Sequence, residues 1–277
     1  MEADYYFRMG SAHSICQDYA LAGQSNGVAW AVLSDGCSGE PKPEQPGSPY
    51  TDFGSRFLVA SALRNLGAVA SIQYPLTKII ADADAMRRQA SLPSDSLDAT
   101  LLMVATEKNG SGMIPTIITG DGVLVYRNRD GSVEYTRRKF DSGMPGYLNY
   151  QIKTDASETY LSKVKKYTEY YGTKIDNDWI ENSQEFDNVS VHSSFSMFNL
   201  YKDDTDLVLL FSDGIESFVD SKNNPVPLGD VLDVVLDMPK MNGKFITRSC
   251  NYLLKRHCAE KGWVHTDDFS CAGIYLP

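Results

Sequence analysis

Three aspartates of this sequence, each followed by glycine, come directly after an apolar run. They are Asp35 after residues 30–34, Asp121 after residues 114–120, and Asp213 after residues 206–212. Runs that are rich in branched residues and poor in charge are typical of buried strands. An acid at the end of such a strand lies at the rim of a sheet, and the glycine lets the backbone turn sharply or approach a ligand closely. The pattern therefore raises the possibility that the three carboxylates meet.

Two more acids stand at the edges of predicted strands and could join this group. They are Asp18, in Cys16-Gln-Asp-Tyr19, and Asp267, in His265-Thr-Asp-Asp-Phe-Ser270. Carboxylates that pack together repel each other unless they take up protons or a cation lies among them. Mg²⁺ and Mn²⁺ prefer oxygen ligands, and two such ions about 4 Å apart can activate a water and hold a phosphoryl group. The chemistry that this cluster would suit is the hydrolysis of phosphate esters.

A plainer interpretation applies to each Asp-Gly pair taken singly. Such a pair after a strand is most often a turn, and Arg129-Asp130-Gly131 is interpreted as one. Cys37, next to the first pair, is either a redox-sensitive thiol or a small loop residue, and we favour the loop residue. The residue types alone leave both the turn and the metal site open.

Composition and charge exclude several classes of protein. The 277 residues carry a net charge of −10, which argues against nucleic acid as the main partner because phosphate backbones select basic surfaces. No run approaches the roughly 20 apolar residues that span a membrane, and the N-terminus has no signal-peptide pattern. The five cysteines form no C-x-x-C pair, which fits reduced thiols. We expect a cytoplasmic protein with neither a membrane nor a nucleic-acid partner.

The hydrophobic pattern predicts blocks of strands and pairs of helices. Strands are predicted over 4–10, 18–34 (with a hairpin at 23–27), 97–106, 112–119, 122–128, 132–138, 189–199, 206–212 and 268–276. Helices are predicted from Thr51 onward, over 76–90, 228–237 and 242–260, and as a short segment near 156–168. A loop rich in Pro and Gly covers 36–49, and the more polar segment 140–188 is predicted to be a flap or insertion. Strands in blocks, with helices in two pairs, favour an α+β layered domain over alternating βαβ units.

Six short motifs in chain order carry a family resemblance. They are Gln17-Asp18, Ser34-Asp35-Gly36-Cys-Ser-Gly39, Asp98-Ala-Thr100, Gly120-Asp121-Gly122, Ser212-Asp213-Gly214 and Asp267-Asp268-Phe-Ser270. In this order and spacing they resemble the signature segments of the protein phosphatase 2C family, the metal-dependent serine/threonine phosphatases. The likeness runs from about residue 10 to residue 275, and the Cys-Gln-Asp of residues 16–18 is most similar to the bacterial branch. It implies an αββα four-layer sandwich, with two antiparallel sheets flanked by helix pairs, as a single catalytic domain over residues 1–277.

The resemblance also implies a centre of two Mn²⁺ or Mg²⁺ ions. Asp35 would bridge the two ions and the Gly36 carbonyl would bind one of them. Asp213 and Asp267 would complete the other ion's ligands, and Asp18 would act largely through water. The implied reaction is direct attack of metal-activated water on phosphorus, without a phosphoenzyme, so that Asp35 and Asp18 count among the catalytic candidates.

A weaker third ion is implied at Asp121, where some relatives bind one. Some relatives also carry an acid four residues after the aspartate that matches Asp213 here. The residue in that place is Ser217 here, with Glu216 beside it. The resemblance therefore supports the two-ion centre more fully than the third ion.

Two further departures concern the groups that would meet the substrate. Many relatives have a histidine after the bridging Asp-Gly, as a candidate proton donor, and this chain has Cys37. Relatives also often carry a phosphate-binding arginine near the first motif, and by spacing His13 takes its place. His13 is therefore a catalytic candidate, and Arg8 and Arg56 are possible substitutes for the arginine.

The function implied is hydrolysis of phosphoserine and phosphothreonine in proteins, as the counterpart of a serine/threonine kinase. Two alternatives stay open at this point. One is a pseudo-phosphatase that uses the fold to bind a phosphoprotein or regulator. The other is a metal-dependent hydrolase of a small phosphate ester, because fold does not fix substrate.

Overall fold

The computed structural model describes residues 1–37, 50–66, 75–106, 112–152, 154–187, 189 and 195–277. Parts of two predicted segments, the loop 36–49 and the strand 189–199, lie outside the described residues.

Fourteen strands are assigned within these residues. They are β1 (Glu2–Arg8), β2 (Tyr19–Ser25), β3 (Val28–Ser34), β4 (Leu101–Ala105), β5 (Met113–Thr119), β6 (Val123–Asn128), β7 (Val133–Phe140), β8 (Lys166–Ile175), β9 (Asp178–Asp187), β10 (Phe195–Tyr201), β11 (Thr205–Phe211), β12 (Phe218–Val219), β13 (Val264–His265) and β14 (Phe269–Tyr275). They form a seven-stranded sheet in the order β1-β14-β11-β6-β7-β8-β9, a five-stranded sheet in the order β10-β5-β4-β3-β2, and the pair β12-β13. Within both large sheets the pairings are antiparallel.

Five α-helices accompany the strands in the described residues. They are α1 (Thr51–Arg64), α2 (Leu76–Gln89), α3 (Thr154–Lys163), α4 (Leu228–Leu236) and α5 (Phe245–Tyr252). The helix that begins as α5 continues through a wider π turn, Leu253–His257, and a last α turn, Cys258–Lys261. It ends at Gly262, whose φ of 68° is the left-handed conformation that often closes helices. No helix in the described ranges has the length and apolar character to cross a membrane.

Side-chain alternation along the central strands explains the four-layer arrangement. In β11, Val208 and Leu210 join the cluster between the two sheets, whereas Leu209 and Phe211 join the cluster under α4 and α5. Successive residues of a strand point to opposite faces, so a strand buried on both faces appears as one continuous apolar run. A third cluster packs the five-stranded sheet against α1 and α2. The layers are helix, sheet, sheet and helix, which confirms the predicted α+β sandwich.

The segment from 140 to 187 continues the seven-stranded sheet. The helix predicted near 156–168 is observed as α3, and β8 and β9 then form a long antiparallel hairpin. β8 pairs with β7 over Val133 to Phe140. Ahead of α3, a 3-10 turn over Leu148–Gln151 is buried at Leu148, Asn149 and Tyr150. This turn packs near the ends of the strands that carry the aspartates.

Gly54 sets the distance between α1 and the 3-10 turn Ser94–Leu97. A Cβ at Gly54 would lie 1.6 Å from the Ser96 carbonyl oxygen. Inside a helix, Gly to Ala ordinarily stabilises by about 1 kcal/mol. Here we expect Gly54→Ala to lower the free energy of unfolding by about 1–3 kcal/mol, because overpacking outweighs that gain. Urea denaturation checks the sign, with exposed Lys78→Ala on α2 as the near-neutral control. A stability gain for Gly54→Ala would contradict this close packing.

Candidate metal centre

Strand register brings the predicted acids to one rim of the two sheets. Tyr19 of β2 pairs with Ser34 of β3, so Asp18 and Asp35 occupy adjoining positions just beyond the ladder. Phe211 of β11 pairs with Cys271 of β14, so the residues after β11 lie beside those before β14. The acids therefore come together because antiparallel neighbours end and begin at the same edge.

Asp18 is fully buried, and Asp35 and Asp213, which are half-buried, lie with it in this cluster. The Asp35 carboxyl lies within hydrogen-bond range of both Asp18 and Asp213. The Ser212 hydroxyl donates to Asp18 Oδ2 at 2.7 Å. Asp18 Oδ1 and Asp213 Oδ1 are buried and have no hydrogen-bond partner among the described residues. Buried carboxylate oxygens without donors are costly unless a proton or a cation compensates them.

Burial raises the pKa of four acids at this rim, Asp18, Asp35, Asp121 and Asp213. It is the largest cause for Asp18, whose pKa rises to about 7, and for Asp213, whose pKa rises to about 6. Burial, followed by the Asp18 and Asp213 charges, raises the pKa of Asp35 well above its usual range. Burial and the Asp213 charge raise the pKa of Asp121 in the same way. Like charges in a poorly hydrated site favour uptake of positive charge, whether as protons or as metal ions.

The backbone that follows β3 is held by residues 98–100. The Asp35 N–H donates to Thr100 Oγ1 at 3.0 Å, and the Thr100 N–H donates to the Asp35 carbonyl at 2.8 Å. Gly36 forms an isolated bridge with Ala99, and the Cys37 N–H donates to the Asp98 carbonyl at 3.0 Å. The Asp98-Ala-Thr100 motif therefore serves as a template for the Asp-Gly loop. The sequence pattern marked the motif but did not reveal this role.

Gly36 needs to be glycine because the start of α1 passes close to it. A Cβ at Gly36 would lie 2.7 Å from the Thr51 carbonyl oxygen. The Thr51 hydroxyl donates to the Cys37 carbonyl at 2.9 Å and accepts from Gln17 Nε2 at 2.8 Å. The first and second motifs are thus joined directly through the beginning of α1.

Asp267 and Asp268 have different environments although they are neighbours. The Asp267 side chain is 44% exposed and that of Asp268 is 1% exposed. Asp268 accepts the backbone N–H groups of Gly10 at 2.8 Å and Gln17 at 2.6 Å. Asp268 therefore fastens the N-terminal motif to β14, while Asp267 stays at the opening of the cluster, where its charge raises the pKa of Asp213. This structural role of Asp268 was not predicted from the sequence. It follows from the burial of the Asp268 side chain and from its two backbone donors.

His13 lies against these two acids. Its Nε2 is 3.3 Å from Asp267 Oδ1 and its Nδ1 is 3.1 Å from Asp268 Oδ1. Burial opposes protonation, but the contact with Asp268 and the charges of Asp268, Asp267 and Asp18 prevail and raise the pKa of His13. The two arginines that could replace a phosphate-binding arginine also have partners. Arg8 hydrogen-bonds with the Tyr6 hydroxyl. Arg56 donates to the Asp52 carbonyl and lies over the Tyr19 ring, 5.3 Å from its centre.

Asp121 adjoins the cluster on the side of β7. It follows Gly120, whose φ of 92° and close approach to Thr100 both favour glycine. Glu216, whose charge raises the pKa values of Asp121 and Asp213, is paired with Arg137 and with Lys139, the latter at 3.1 Å. The negative charge of Glu216, the residue beside Ser217, is therefore already neutralised by Arg137 and Lys139 of β7.

Cys37 is the half-buried residue that follows Asp35-Gly36. It touches the aromatic cluster of Phe140, Tyr147, Tyr150, Tyr160 and Tyr167. Burial raises the pKa of the Cys37 thiol despite its hydrogen bond with Tyr147. A protonated, half-buried thiol is a poor nucleophile, which agrees with the interpretation of Cys37 as a loop residue.

The donor set suits a hard divalent cation. Within the described residues, no three or more His, Cys, Asp and Glu side chains are already arranged to hold a metal ion. The Asp35 carboxyl instead lies within hydrogen-bond range of those of Asp18 and Asp213. Mg²⁺ and Mn²⁺ take oxygen ligands of this kind, and the two partnerless buried oxygens of Asp18 and Asp213 are of the type that a cation would satisfy. The residues present therefore fit such an ion.

Comparison with known proteins gives a family match over most of the chain. Residues 10–244 match the sequence profile described as protein phosphatase 2C. None of the curated proteins matches the sequence significantly.

Several solved structures are similar to this chain at low sequence identity. The X-ray structure of the photosystem II phosphatase PBCP is 11% identical, with a TM-score of 0.50 over 100% of this chain and 98% of that one. The PPM Ser-Thr phosphatase MsPP from Mycobacterium smegmatis, solved in complex with cacodylate, is 14% identical, with a TM-score of 0.47 over 100% and 99%. PppA, described as a regulatory component of T6SS in Pseudomonas aeruginosa, is 13% identical, with a TM-score of 0.48 over 98% and 96%.

Proposed function

Because the chain belongs to the protein phosphatase 2C family, we propose that it is a Mg²⁺- or Mn²⁺-dependent phosphatase that hydrolyses phosphoserine and phosphothreonine in proteins. The observation that carries this proposal is the convergence of Asp18, Asp35 and Asp213, two of which keep a buried oxygen without a partner among the described residues. A site that served only to bind a phosphorylated partner would have no need for such crowded negative charge. Phosphate groups would be repelled by it unless cations intervened.

The proposed ligands are the carboxylates of Asp35, Asp213 and Asp267 and the carbonyl of Gly36, with Asp18 and Asp121 in supporting positions. When bound, divalent ions supply Lewis acidity toward the phosphoryl oxygens and a water that deprotonates near neutral pH. Asp18, fixed by the Ser212 hydroxyl, keeps its other carboxylate oxygen available to accept a hydrogen bond from that water.

The remaining residues shape access to the centre. His13 lies between Asp267 and Asp268. We therefore propose that it partly neutralises the negative charge at the opening of the cluster and orients the Asp267 carboxylate. Lys139 is about half exposed beside Glu216 and offers positive charge near the same rim. The leaving alkoxide of serine or threonine would take its proton from solvent, since Cys37 is half-buried and hydrogen-bonded with Tyr147.

The wider setting follows from the same proposal. The substrate would be a phosphoprotein produced by a serine/threonine kinase, and the protein would act in the cytoplasm as a single catalytic domain over residues 1–277. Hydrolysis of a small phosphate ester is the second candidate. The observation that favours it concerns Arg8 and Arg56. Arg8 hydrogen-bonds with Tyr6 and Arg56 with Asp52, so neither takes the place of the phosphate-binding arginine of relatives.

The test is hydrolysis of a phosphothreonine peptide with Mn²⁺, with Mg²⁺ and with EDTA. We expect turnover with either metal and none above background with EDTA. A phosphotyrosine peptide and p-nitrophenyl phosphate, assayed in parallel, separate protein phosphatase activity from general esterase activity. Equal or higher kcat/KM on the small ester would favour the second candidate. Turnover that persists in EDTA would contradict a metal-dependent reaction.

A further inference from the structure

The turn between β7 and α3 contacts the template of the Asp-Gly loop through one buried amide. Asn149, 2% exposed, donates from Nδ2 to Asp98 Oδ1 at 2.7 Å and to the Ser94 carbonyl at 2.9 Å. These two acceptors lie at opposite ends of the turn Ser94–Leu97. A single side chain therefore fixes both the entry and the exit of that turn.

Asp98 transmits this constraint to the proposed ligands. Its carbonyl receives the Cys37 N–H at 3.0 Å, and the next two residues hold Asp35 and Gly36 through the Thr100 bonds and the Ala99 bridge. The backbone on both sides of Gly36 is therefore bonded to the same short segment, residues 98–100. The position of the Gly36 carbonyl hence depends on where that segment lies.

The turn that carries Asn149 is itself firmly anchored. Leu148 belongs to the cluster under α1 and α2, and Tyr147 hydrogen-bonds with Cys37 from the other side. Tyr150 packs against Tyr160 of α3, with the two rings tilted and their centres 5.0 Å apart. An anchored donor can hold a neighbouring loop in place, whereas a donor on a mobile surface segment could not.

We propose that Asn149 is a positioning residue for the metal centre, acting through Asp98 on the Asp35-Gly36-Cys37 loop. The inference rests on the proposed function for its metal. It assigns to the segment between β7 and β8 a part in setting metal affinity, distinct from any contact with substrate. Groups that orient metal ligands from outside the ligand shell commonly change affinity by about 10–100-fold when they are lost.

The experiment measures Mn²⁺ affinity by calorimetry on metal-stripped full-length protein. For Asn149→Ala we expect the Kd to rise about 10-fold or more. We also expect an activity deficit that raising the Mn²⁺ concentration largely restores, since the ligands themselves are intact. Asn149→Asp, which fills the same space but cannot donate to Asp98, keeps the test open if the alanine variant fails to fold, and the same rise is expected.

Asn65 provides a matched control. It is also buried, and its Nδ2 donates to the Ser61 carbonyl and to Asp82 Oδ2, both at 2.9 Å. Asn65→Ala should lower the melting temperature to a similar extent while leaving the Mn²⁺ Kd within about twofold of wild type, because this site is between α1 and α2.

Two outcomes would overturn the inference, and they are distinguishable. If the Asn149 variants lose stability like the Asn65 control but keep the wild-type Kd, Asn149 is only structural and the proposed function stands. If wild-type protein binds no Mn²⁺, the metal-dependent function fails and the inference fails with it.

Discussion

Asp35→Asn is expected to reduce metal-dependent hydrolysis of a phosphothreonine peptide by about two to three orders of magnitude. The substitution removes the carboxylate that lies within hydrogen-bond range of both Asp18 and Asp213 and that would bind both ions. Loss of several kcal/mol of transition-state stabilisation corresponds to such a factor, because each 1.4 kcal/mol is about tenfold in rate. Steady-state kinetics at saturating Mn²⁺ measure it.

The fold itself should tolerate this change. Asparagine has the shape of aspartate and relieves crowding among the buried acids, so the melting temperature without metal should equal or exceed that of wild type. Asp130→Asn is the matched control, since Asp130 belongs to an exposed Asp-Gly turn, where its carboxylate accepts hydrogen bonds from Ser132. Turnover near the wild-type value in Asp35→Asn would remove Asp35 from the mechanism.

Metal-free protein is expected to lose stability as pH rises from about 4 to about 7. The Asp18 pKa is raised from 3.8 to about 7 and the Asp213 pKa from 3.8 to about 6, so the folded state binds more protons than the unfolded state across this interval. Stability then falls with increasing pH. The contribution of these groups is greatest below pH 4, and it is fully lost above their folded-state pKa values. A pKa that differs by one between the folded and unfolded states corresponds to about 1.4 kcal/mol, so the effect amounts to a few kcal/mol.

Divalent cations should reverse this loss. Mn²⁺ bound at the proposed centre would compensate the ionised carboxylates, and we expect it to bind only the folded state. The rise in melting temperature on adding Mn²⁺ should therefore be larger at pH 8 than at pH 5.5, where protons compete for the same oxygens. Differential scanning fluorimetry at the two pH values, with and without EDTA, measures it. In Asp18→Asn the metal-free pH dependence should be shallower. A Mn²⁺-induced rise in melting temperature that is equal at both pH values would contradict the linkage.

Residues that lie at strand ends could be placed from the sequence, because strand geometry dictates their environment. The apolar runs before Asp35 and Asp213 are buried on both faces, and antiparallel pairing delivers their last residues to one rim. The two-residue period of a strand and the turn at glycine raised this meeting as one of two interpretations, and the family resemblance was needed to choose it over a simple turn. The same reasoning gave the α+β class, since blocks of strands separated by helix pairs have few packed arrangements.

Residues that act from irregular segments could not be placed in this way. Asn149 and Tyr147 lie in or beside a turn that has no hydrophobic periodicity. Their important contacts are with residues far away in the sequence: Asn149 hydrogen-bonds to Asp98, about 50 residues earlier, and Tyr147 to Cys37, about 110 residues earlier. The strands β8 and β9, which form a hairpin, were also not predicted from the sequence. Its outer strand is largely exposed, so it lacks the alternation that marks a half-buried strand. The environment of His13 likewise depends on the distant Asp267 and Asp268.

The place of β14 in its sheet has a consequence for synthesis of the protein. β14 lies between β1 and β11 and pairs with both along most of its length. While a ribosome still holds residues 269–275, β1 lacks its neighbour in this sheet and β11 presents an unpaired edge to other nascent chains. Asp267 and Asp268 are absent from the rim at the same stage. Until residues 267–275 have been translated, the chain therefore cannot complete this sheet or this part of the rim, and its unpaired strand edge favours association with other chains.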